Sequence, residues 1–233
     1  MGSDIPKVLH QLNGRPMIHY VLDVAKQLNP TTIYLIVGHG ADAVKAATTD
    51  YDVTYVEQHQ QLGTGHAVCQ VAPYFPIGRE EDLIILSGDC PLLSIDTLSN
   101  LVQHHQSQQR LGTVLTTNLE TPAAYGRILR DSHNHFFAIR EAKDCDEAQL
   151  SISEINAGIY CFNSGALFHY LKKLNTNNAQ GEYYLTDVLE AIGRESGGSK
   201  IDAFATPNPT EILGVNTPKE LAALEEILAS ELA

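Results

Sequence analysis

The chain has 233 residues, 43% of them hydrophobic, and 28 acidic against 15 basic residues give a formal net charge of −13. That length suits one sizeable α/β domain or one domain with a small insertion, and the acidic balance argues against a nucleic-acid binder, which needs clustered Lys and Arg. No apolar run approaches a membrane span, no signal-peptide pattern opens the chain, and Cys69, Cys90, Cys145 and Cys161 lack CxxC spacing, so reduced thiols in a cytoplasmic protein are expected.

In chain order, Met17 to Leu28 sets Met17, Tyr20, Val21, Val24 and Leu28 on one helical face. Thr31–Val37 reads as a strand ending at Gly38-His39-Gly40, Ala41–Thr48 as a helix, Val53–Glu57 as a strand and Thr64–Ala72 as a helix. The apolar run Leu83–Leu86 reads as a strand buried on both faces of a parallel sheet, followed by a helix from about Ile95 to Gln106. This alternation predicts βαβ units and a doubly wound sheet.

Beyond Gly112 the pattern shortens. Thr113–Thr117, Gly126–Leu129 and Phe136–Ile139 are brief β-type runs between turn residues, predicting a small antiparallel or mixed portion. Ile155–Phe162 is a further strand, Ser164–Leu174 and Leu185–Arg194 are helices, and Ile201–Ala205 is a strand. Thr217-Pro218 caps a final helix whose Leu221, Leu224, Ile227 and Leu228 form a stripe expected to pack on the domain. The predicted division is 1–216 for the main domain and 217–233 for a linker-type helix.

Asp89 closes Leu86-Ser87-Gly88-Asp89, beyond the carboxyl end of the Leu83–Leu86 strand, where open α/β sheets bind ligands. A carboxylate there suits Mg²⁺, which pairs one or two carboxylates with substrate phosphates; the plainer role is a cap for the helix near Ser94. Lys7 follows Pro6 and precedes the Asn13-Gly14 turn, and either places a cation on a phosphate or is a solvated surface lysine. Gln58 and Gln61 precede Leu62-Gly63-Thr64-Gly65-His66; glutamine amides can read a base edge, and glycines admit close backbone approach. The ten histidines show no zinc-type spacing with cysteine or carboxylate.

Pro6-Lys7-Val8-Leu9, Gly14-Arg15-Pro16-Met17, Gln61 to Ala67 and Gly88-Asp89-Cys90-Pro91-Leu92 together resemble the sugar-nucleotidyltransferase family. Tyr125-Gly126-Arg127-Ile128, Glu141 to Asp144, Glu154 to Gly158, the run Asn177–Asp187 and Gly214-Val215-Asn216 narrow the likeness to the uridyltransferase domains of bacterial N-acetylglucosamine-1-phosphate uridyltransferases.

The resemblance implies a Rossmann-like nucleotidyltransferase fold: a doubly wound mixed sheet with a small antiparallel sugar-binding portion. It implies uridylyl transfer from UTP to N-acetylglucosamine 1-phosphate, giving UDP-N-acetylglucosamine for cell-wall peptidoglycan precursors. Gln58, Gln61, Gly63 and Thr64 would face the nucleoside, Ser87 and Gly88 would line the site, and Asp89 and Asn216 would hold Mg²⁺. Lys7 would face the phosphates. Gly126, Glu141 and Asn156 would hold the sugar, with Glu182, Tyr184 and Thr186 nearby. Another sugar-1-phosphate nucleotidyltransferase and a non-catalytic nucleotide-sugar-binding paralogue remain open as alternatives.

Two departures bear on expectations. The family opens with a buried strand and a loop of the form Leu-Ala-Ala-Gly-x-Gly-Thr-Arg-Met, and Met1 aligns with that loop's last residue. Without that strand, unpaired strand edges and uncovered apolar surface are expected, along with the loss of a phosphate-binding cation. The bacterial proteins also continue into an acetyltransferase β-helix; no hexapeptide repeats occur here, so no acetyltransferase activity is expected and trimerisation through that domain is in doubt.

Overall fold

The structure is a computed structural model and describes residues 5–76, 78 and 80–231. Met1 and the ends of the expected 1–216 and 217–233 units therefore lie outside the described residues. A 3₁₀ turn over Lys7–Leu9 leads into the hairpin β1 (Gln11–Leu12) and β2 (Arg15–Pro16) and then α1 (Met17–Gln27). Asn13 and Gly14 both take positive φ between those strands, which is the turn chemistry of an Asn-Gly pair. A parallel unit follows: β3 (Tyr34–Val37), α2 (Ala41–Ala47) and β4 (Thr54–Glu57), with Tyr34 opposite Thr54.

Next come α3 (Thr64–Cys69), β5 (Asp82–Ile85), α4 (Ile95–Ser107) and β6 (Gly112–Asn118). The hairpin β7 (Arg127–Arg130) and β8 (Phe136–Arg140) and the short α5 (Glu147–Leu150) precede the long β9 (Glu154–Asn163). The chain closes with α6 (Ser164–Leu171), α7 (Thr186–Ser196), β10 (Ile201–Ala205) and α8 (Pro218–Glu231). The main sheet runs β10-β6-β9-β7-β8, and β5 also pairs with β9. β10 and β6 are parallel, while β9 is antiparallel to β5, β6 and β7.

Helices cover both faces, as the alternation of elements demands. On one face, Val188, Leu189 and Ile192 of α7 and Leu167 and Leu171 of α6 meet Val114, Tyr160 and Phe162. On the other, Leu98 and Leu101 of α4 and Val24 of α1 meet Leu115, Ile155, Ile159 and Cys161. The stripe on α8 packs as its spacing predicts: Leu224 is buried against Leu12, Met17 and Val215, with Leu221 and Leu228 beside it. Pro218 opens that helix, the Thr217 hydroxyl accepts from Glu220 N–H, and the Glu220 carboxylate accepts from Asn216 and Thr217 N–H.

β5 differs from expectation. Among the described residues it pairs only with β9, antiparallel, and Leu83–Leu86 are half-buried rather than covered on both sides. β3 likewise pairs only with β4. The carboxyl ends of β3 and β5 converge on the Lys7–Leu9 turn: Pro6 abuts Gly40, and Val8 abuts Gly88. Both strands border an 810 Å³ cavity lined by Leu35, Val37, Leu83, Ile85, Val21 and Leu22. Among the described residues neither strand is paired on its second edge, which leaves Leu35, Val37, Leu83 and Ile85 against the cavity.

Candidate functional site

Beyond β5 the chain turns through Ser87-Gly88-Asp89. Gly88 is closely packed: a Cβ there would stand 3.2 Å from the side chains of both Val8 and Ile18. The Ser87 hydroxyl donates to Asp89 Oδ1 at 2.5 Å and fixes the carboxylate. Asp89 does not cap the following helix: Ser94 does, accepting from Thr97 N–H at 3.1 Å. The second oxygen, Oδ2, accepts from the Lys7 ammonium, which also donates to Asn216 Oδ1 at 2.6 Å. Asn216 reaches this point because Val215 N–H donates to the Asp89 carbonyl and Gly214 N–H donates to the Tyr125 hydroxyl. Burial raises the Tyr125 phenol above its ordinary value, so it stays neutral and able to accept that bond.

Asp89 Oδ2 and Asn216 Oδ1 therefore converge on one cation, the Lys7 ammonium. Two hard oxygens aimed at one positive centre form a donor set that fits Mg²⁺, whose other positions water and phosphate oxygens fill. Among the described residues no group of three or more His, Cys, Asp or Glu side chains is arranged to hold a metal.

The Gln58–Thr64 segment lies beyond β4. Gln58 Nε2 donates to the Gly63 carbonyl at 3.2 Å and lies 3.0 Å from His66 Nδ1, while Gln61 Nε2 donates to the Gln58 carbonyl at 3.0 Å. Gly63 has φ +108°, and a Cβ there would fall 2.7 Å from the Tyr183 carbonyl oxygen. Gly63-Thr64-Gly65 is clipped to the segment before α7 by Tyr183 N–H to Leu62 O, Gly65 N–H to Tyr183 O and Leu185 N–H to Thr64 Oγ1.

A second set lies around β7, β8 and β9. The β6–β9 register shifts between Val114 and Thr116, and Gly158 at φ +72° absorbs the bulge. The bulge turns Asn156 inward, where Nδ2 donates to the Tyr160 hydroxyl at 2.8 Å and Oδ1 accepts from Gly158 N–H at 2.9 Å. Asn156 N–H donates to the Gly126 carbonyl, which joins the two predicted sugar-side residues. The buried Arg127 guanidinium donates to the carbonyls of Tyr125, Ala123 and Leu150 and so fixes the approach to Gly126.

Glu141 accepts from the Thr186 hydroxyl at 3.4 Å. Burial raises its carboxyl above the usual range, with Asp187, Asp144 and Glu182 adding to the effect and the Thr186 bond opposing it. Asp187 is pushed up to about 6 by burial and then by Glu190. Tyr184 is buried, and its hydroxyl meets Gln180 at 3.0 Å and Asp144 at 3.3 Å. Glu182 stands beside Gly63, its Cβ 2.9 Å from where a Cβ on that glycine would lie.

The structure thus brings Lys7, Ser87, Gly88, Asp89 and Asn216 together; Gln58, Gln61, Gly63 and Thr64 together with Glu182; and Glu141 with Thr186. Gly126 meets Asn156. Sequence reasoning gave no roles to Tyr125, Arg127, Tyr160 and His66. Tyr125, Arg127 and His66 lay inside quoted motifs, whereas the tie from Tyr160 to Asn156 depends on a bulge that no local pattern marks.

Residues 1–155 match the profile of the MobA-like NTP transferase domain. Curated relatives include the bifunctional protein GlmU of Heliobacterium modesticaldum, 46% identical over 232 residues, and that of Clostridium tetani, 42% identical over 232 residues. Each alignment covers 100% of this chain and 50% of the relative, so the chain spans about half the length of the curated relatives it matches. Among solved structures, a UDP-glucose pyrophosphorylase complexed with UDP-glucose superposes with a TM-score of 0.75 over 97% of this chain and 91% of that one. At 16% identity this is a likeness of fold, and it agrees with the Rossmann-like nucleotidyltransferase architecture read from the sequence. With two-thirds of its length inside that family profile, the chain belongs to the MobA-like NTP transferase domain family.

Proposed function

We propose that this chain transfers a uridylyl group from UTP to N-acetylglucosamine 1-phosphate, releasing pyrophosphate and forming UDP-N-acetylglucosamine. The observation that carries the reading is the convergence of Lys7, Asp89 and Asn216 at the carboxyl end of β5. An acidic protein that handles a triphosphate needs a placed cation, and Lys7 is held by residues from two distant parts of the chain.

A sugar-phosphate oxygen forms a new bond to the α-phosphorus, and the bond from that phosphorus to the bridging oxygen breaks in line. Pyrophosphate leaves with the electron pair. Such chemistry depends on positioning and charge neutralisation, with no protein nucleophile. Lys7 offsets charge that builds on the phosphate oxygens. Asp89 and Asn216 would hold Mg²⁺, which would supply further neutralisation of the triphosphate.

Gln58 and the Gly63-Thr64 turn face the nucleoside, where glycine allows the backbone to approach the base. Glu141, Asn156 and Gly126 face the N-acetylated sugar, with Thr186 orienting Glu141. The clips between Thr64 and Leu185 and between Gly65 and Tyr183 tie the nucleoside loop to the chain that leads into Thr186.

The test is pyrophosphate release from UTP and N-acetylglucosamine 1-phosphate with Mg²⁺, by the wild type and by Asp89→Ala. Turnover that needs both substrates and disappears in the variant is expected. Turnover by the Asp89→Ala protein would remove the metal assignment. Tight UDP-N-acetylglucosamine binding with no pyrophosphate release at any Mg²⁺ concentration would favour the non-catalytic binding module.

A further inference from the structure

We propose that His66 is a specificity-determining positioning residue: it fixes the Gln58 amide so that its oxygen, an acceptor, faces the base and selects a pyrimidine with an N–H at ring position 3. The inference rests on the nucleotide reading above and adds the residue that sets base choice.

The argument starts from the Gly63 carbonyl, which can only accept. Its 3.2 Å contact must therefore be with the nitrogen end of the Gln58 amide. The second hydrogen on that nitrogen points to His66 Nδ1 at 3.0 Å. With both N–H groups engaged, Oε1 is the remaining polar atom, and it lies 3.8 Å from where a Cβ on Gly38 would stand, at the end of β3. That is the carboxyl end of the sheet, where open α/β folds place ligands.

This arrangement requires the ring proton to sit on Nε2. Gln70 is the neighbour of that nitrogen: its Nε2 lies 3.2 Å from His66 Nε2 and 3.0 Å from the His66 carbonyl. A neutral imidazole accepts at one nitrogen only, so the Gln58 bond and the Gln70 bond to the ring exclude each other. Gln70 Nε2 keeps the shorter of its two contacts, the 3.0 Å bond to the His66 carbonyl, so its 3.2 Å approach to the ring is the one given up and Gln58 keeps Nδ1. His66 also lies beside Tyr183, ring centroids 6.4 Å apart, in the segment that clips the glycine turn.

Uracil and thymine carry a hydrogen at N3; cytosine has a bare, accepting nitrogen there. An accepting Gln58 oxygen meets the first as a hydrogen bond and the second as a mismatch. The experiment is calorimetric titration of UTP and of CTP, each with Mg²⁺, into the wild type, His66→Phe, His66→Asn and Gln70→Glu. The wild type should favour UTP by on the order of tenfold or more, the usual consequence of leaving a polar group opposed rather than paired.

His66→Phe removes the acceptor, frees the Gln58 amide to turn, and should bring the UTP-to-CTP ratio towards one. His66→Leu serves in its place should the phenyl ring disturb the fold. His66→Asn, whose Oδ1 stands near the position of Nδ1, should restore the ratio. Gln70→Glu, which can only accept, holds the ring proton on Nε2 and should keep the preference.

A purely structural His66 would weaken both nucleotides alike, so an unchanged ratio in a folded His66→Phe protein overturns the assignment. So does a wild type that binds UTP and CTP equally, which would leave nucleotide binding standing. A wild type that binds neither nucleotide overturns the nucleotide reading and the His66 role with it.

Discussion

Lys7 and Asn216 are 209 residues apart in sequence, yet the Lys7 ammonium donates to Asn216 Oδ1 at 2.6 Å. The same ammonium meets Asp89, so the two ends of the chain and the turn after β5 share one charge centre. Asn216 is brought there by backbone, through the Val215 bond to Asp89 O, and is held from behind by the Glu220 carboxylate at the start of α8. The final helix is thus part of how the site is built.

Replacing Lys7 with Met keeps the stem and removes the charge. Turnover is expected to fall on the order of 10²–10³-fold, the usual loss for one charge-stabilising donor. Lys7→Arg should rescue poorly, because a planar fork cannot take the place of a point donor between one carboxylate and one amide oxygen. Steady-state pyrophosphate release measures both. A Lys7→Met protein with nearly full turnover would move Lys7 off the phosphates.

Gly63 and Gly14 offer a controlled comparison. Both have positive φ, +108° and +76°, so an alanine is strained at either. At Gly14 nothing lies within 4 Å of the new Cβ, whereas at Gly63 it meets Tyr183 O at 2.7 Å and Tyr183 N at 2.9 Å. Relieving that contact breaks the Tyr183 to Leu62 and Gly65 to Tyr183 bonds. Gly14→Ala should cost about 1–2 kcal/mol of backbone strain. Gly63→Ala should cost roughly 1–2 kcal/mol more per lost bonded pair, read from urea midpoints at equal slope, and should weaken UTP binding.

The sequence signals that proved readable are those with short range or fixed spacing. The α1 face, the Asn13-Gly14 turn, the Thr217-Pro218 helix start and the strand–turn placement of Asp89 each follow from a local pattern. The burial of β5 was misread because an apolar run says what a strand can bury and nothing about which neighbours are present. Leu83–Leu86 are half-buried for want of a strand between β3 and β5 among the described residues. Site details set by irregular backbone or distant partners were out of reach: Tyr160 on Asn156, only four residues apart, needs the β9 bulge, and Tyr125 on Gly214 joins residues 89 apart.

Glu141→Ala should raise the KM for the sugar phosphate far more than the KM for UTP. Glu141 is half-buried, accepts from the Thr186 hydroxyl and feels the charges of Asp187, Asp144 and Glu182, whereas Gln58 is bonded to Gly63 and His66. The UTP KM serves as an internal control for folding. An effect confined to UTP would place Glu141 on the nucleotide side.

Stability should depend on pH through His105 and Asp187 with opposite signs. His105 is buried against Thr113 Oγ1, and burial lowers it from its usual 6.5, partly opposed by Asp82. A depressed histidine means the unfolded chain binds more protons, so its contribution is complete above about pH 6.5 and is lost as pH falls below that value. Asp187 is raised from 3.8 to about 6, so its ionised form is a cost that is full above pH 6 and fades as pH falls towards 3.8. His105→Asn, which retains an acceptor for the Thr113 hydroxyl, should flatten the loss of stability on the acid side. Asp187→Asn should raise the melting temperature at pH 8 and leave it unchanged near pH 3.5. Thermal melts from pH 3.5 to 8 read both variants, and an Asp187→Asn gain that grows as pH falls would reverse the assigned sign and overturn the burial argument.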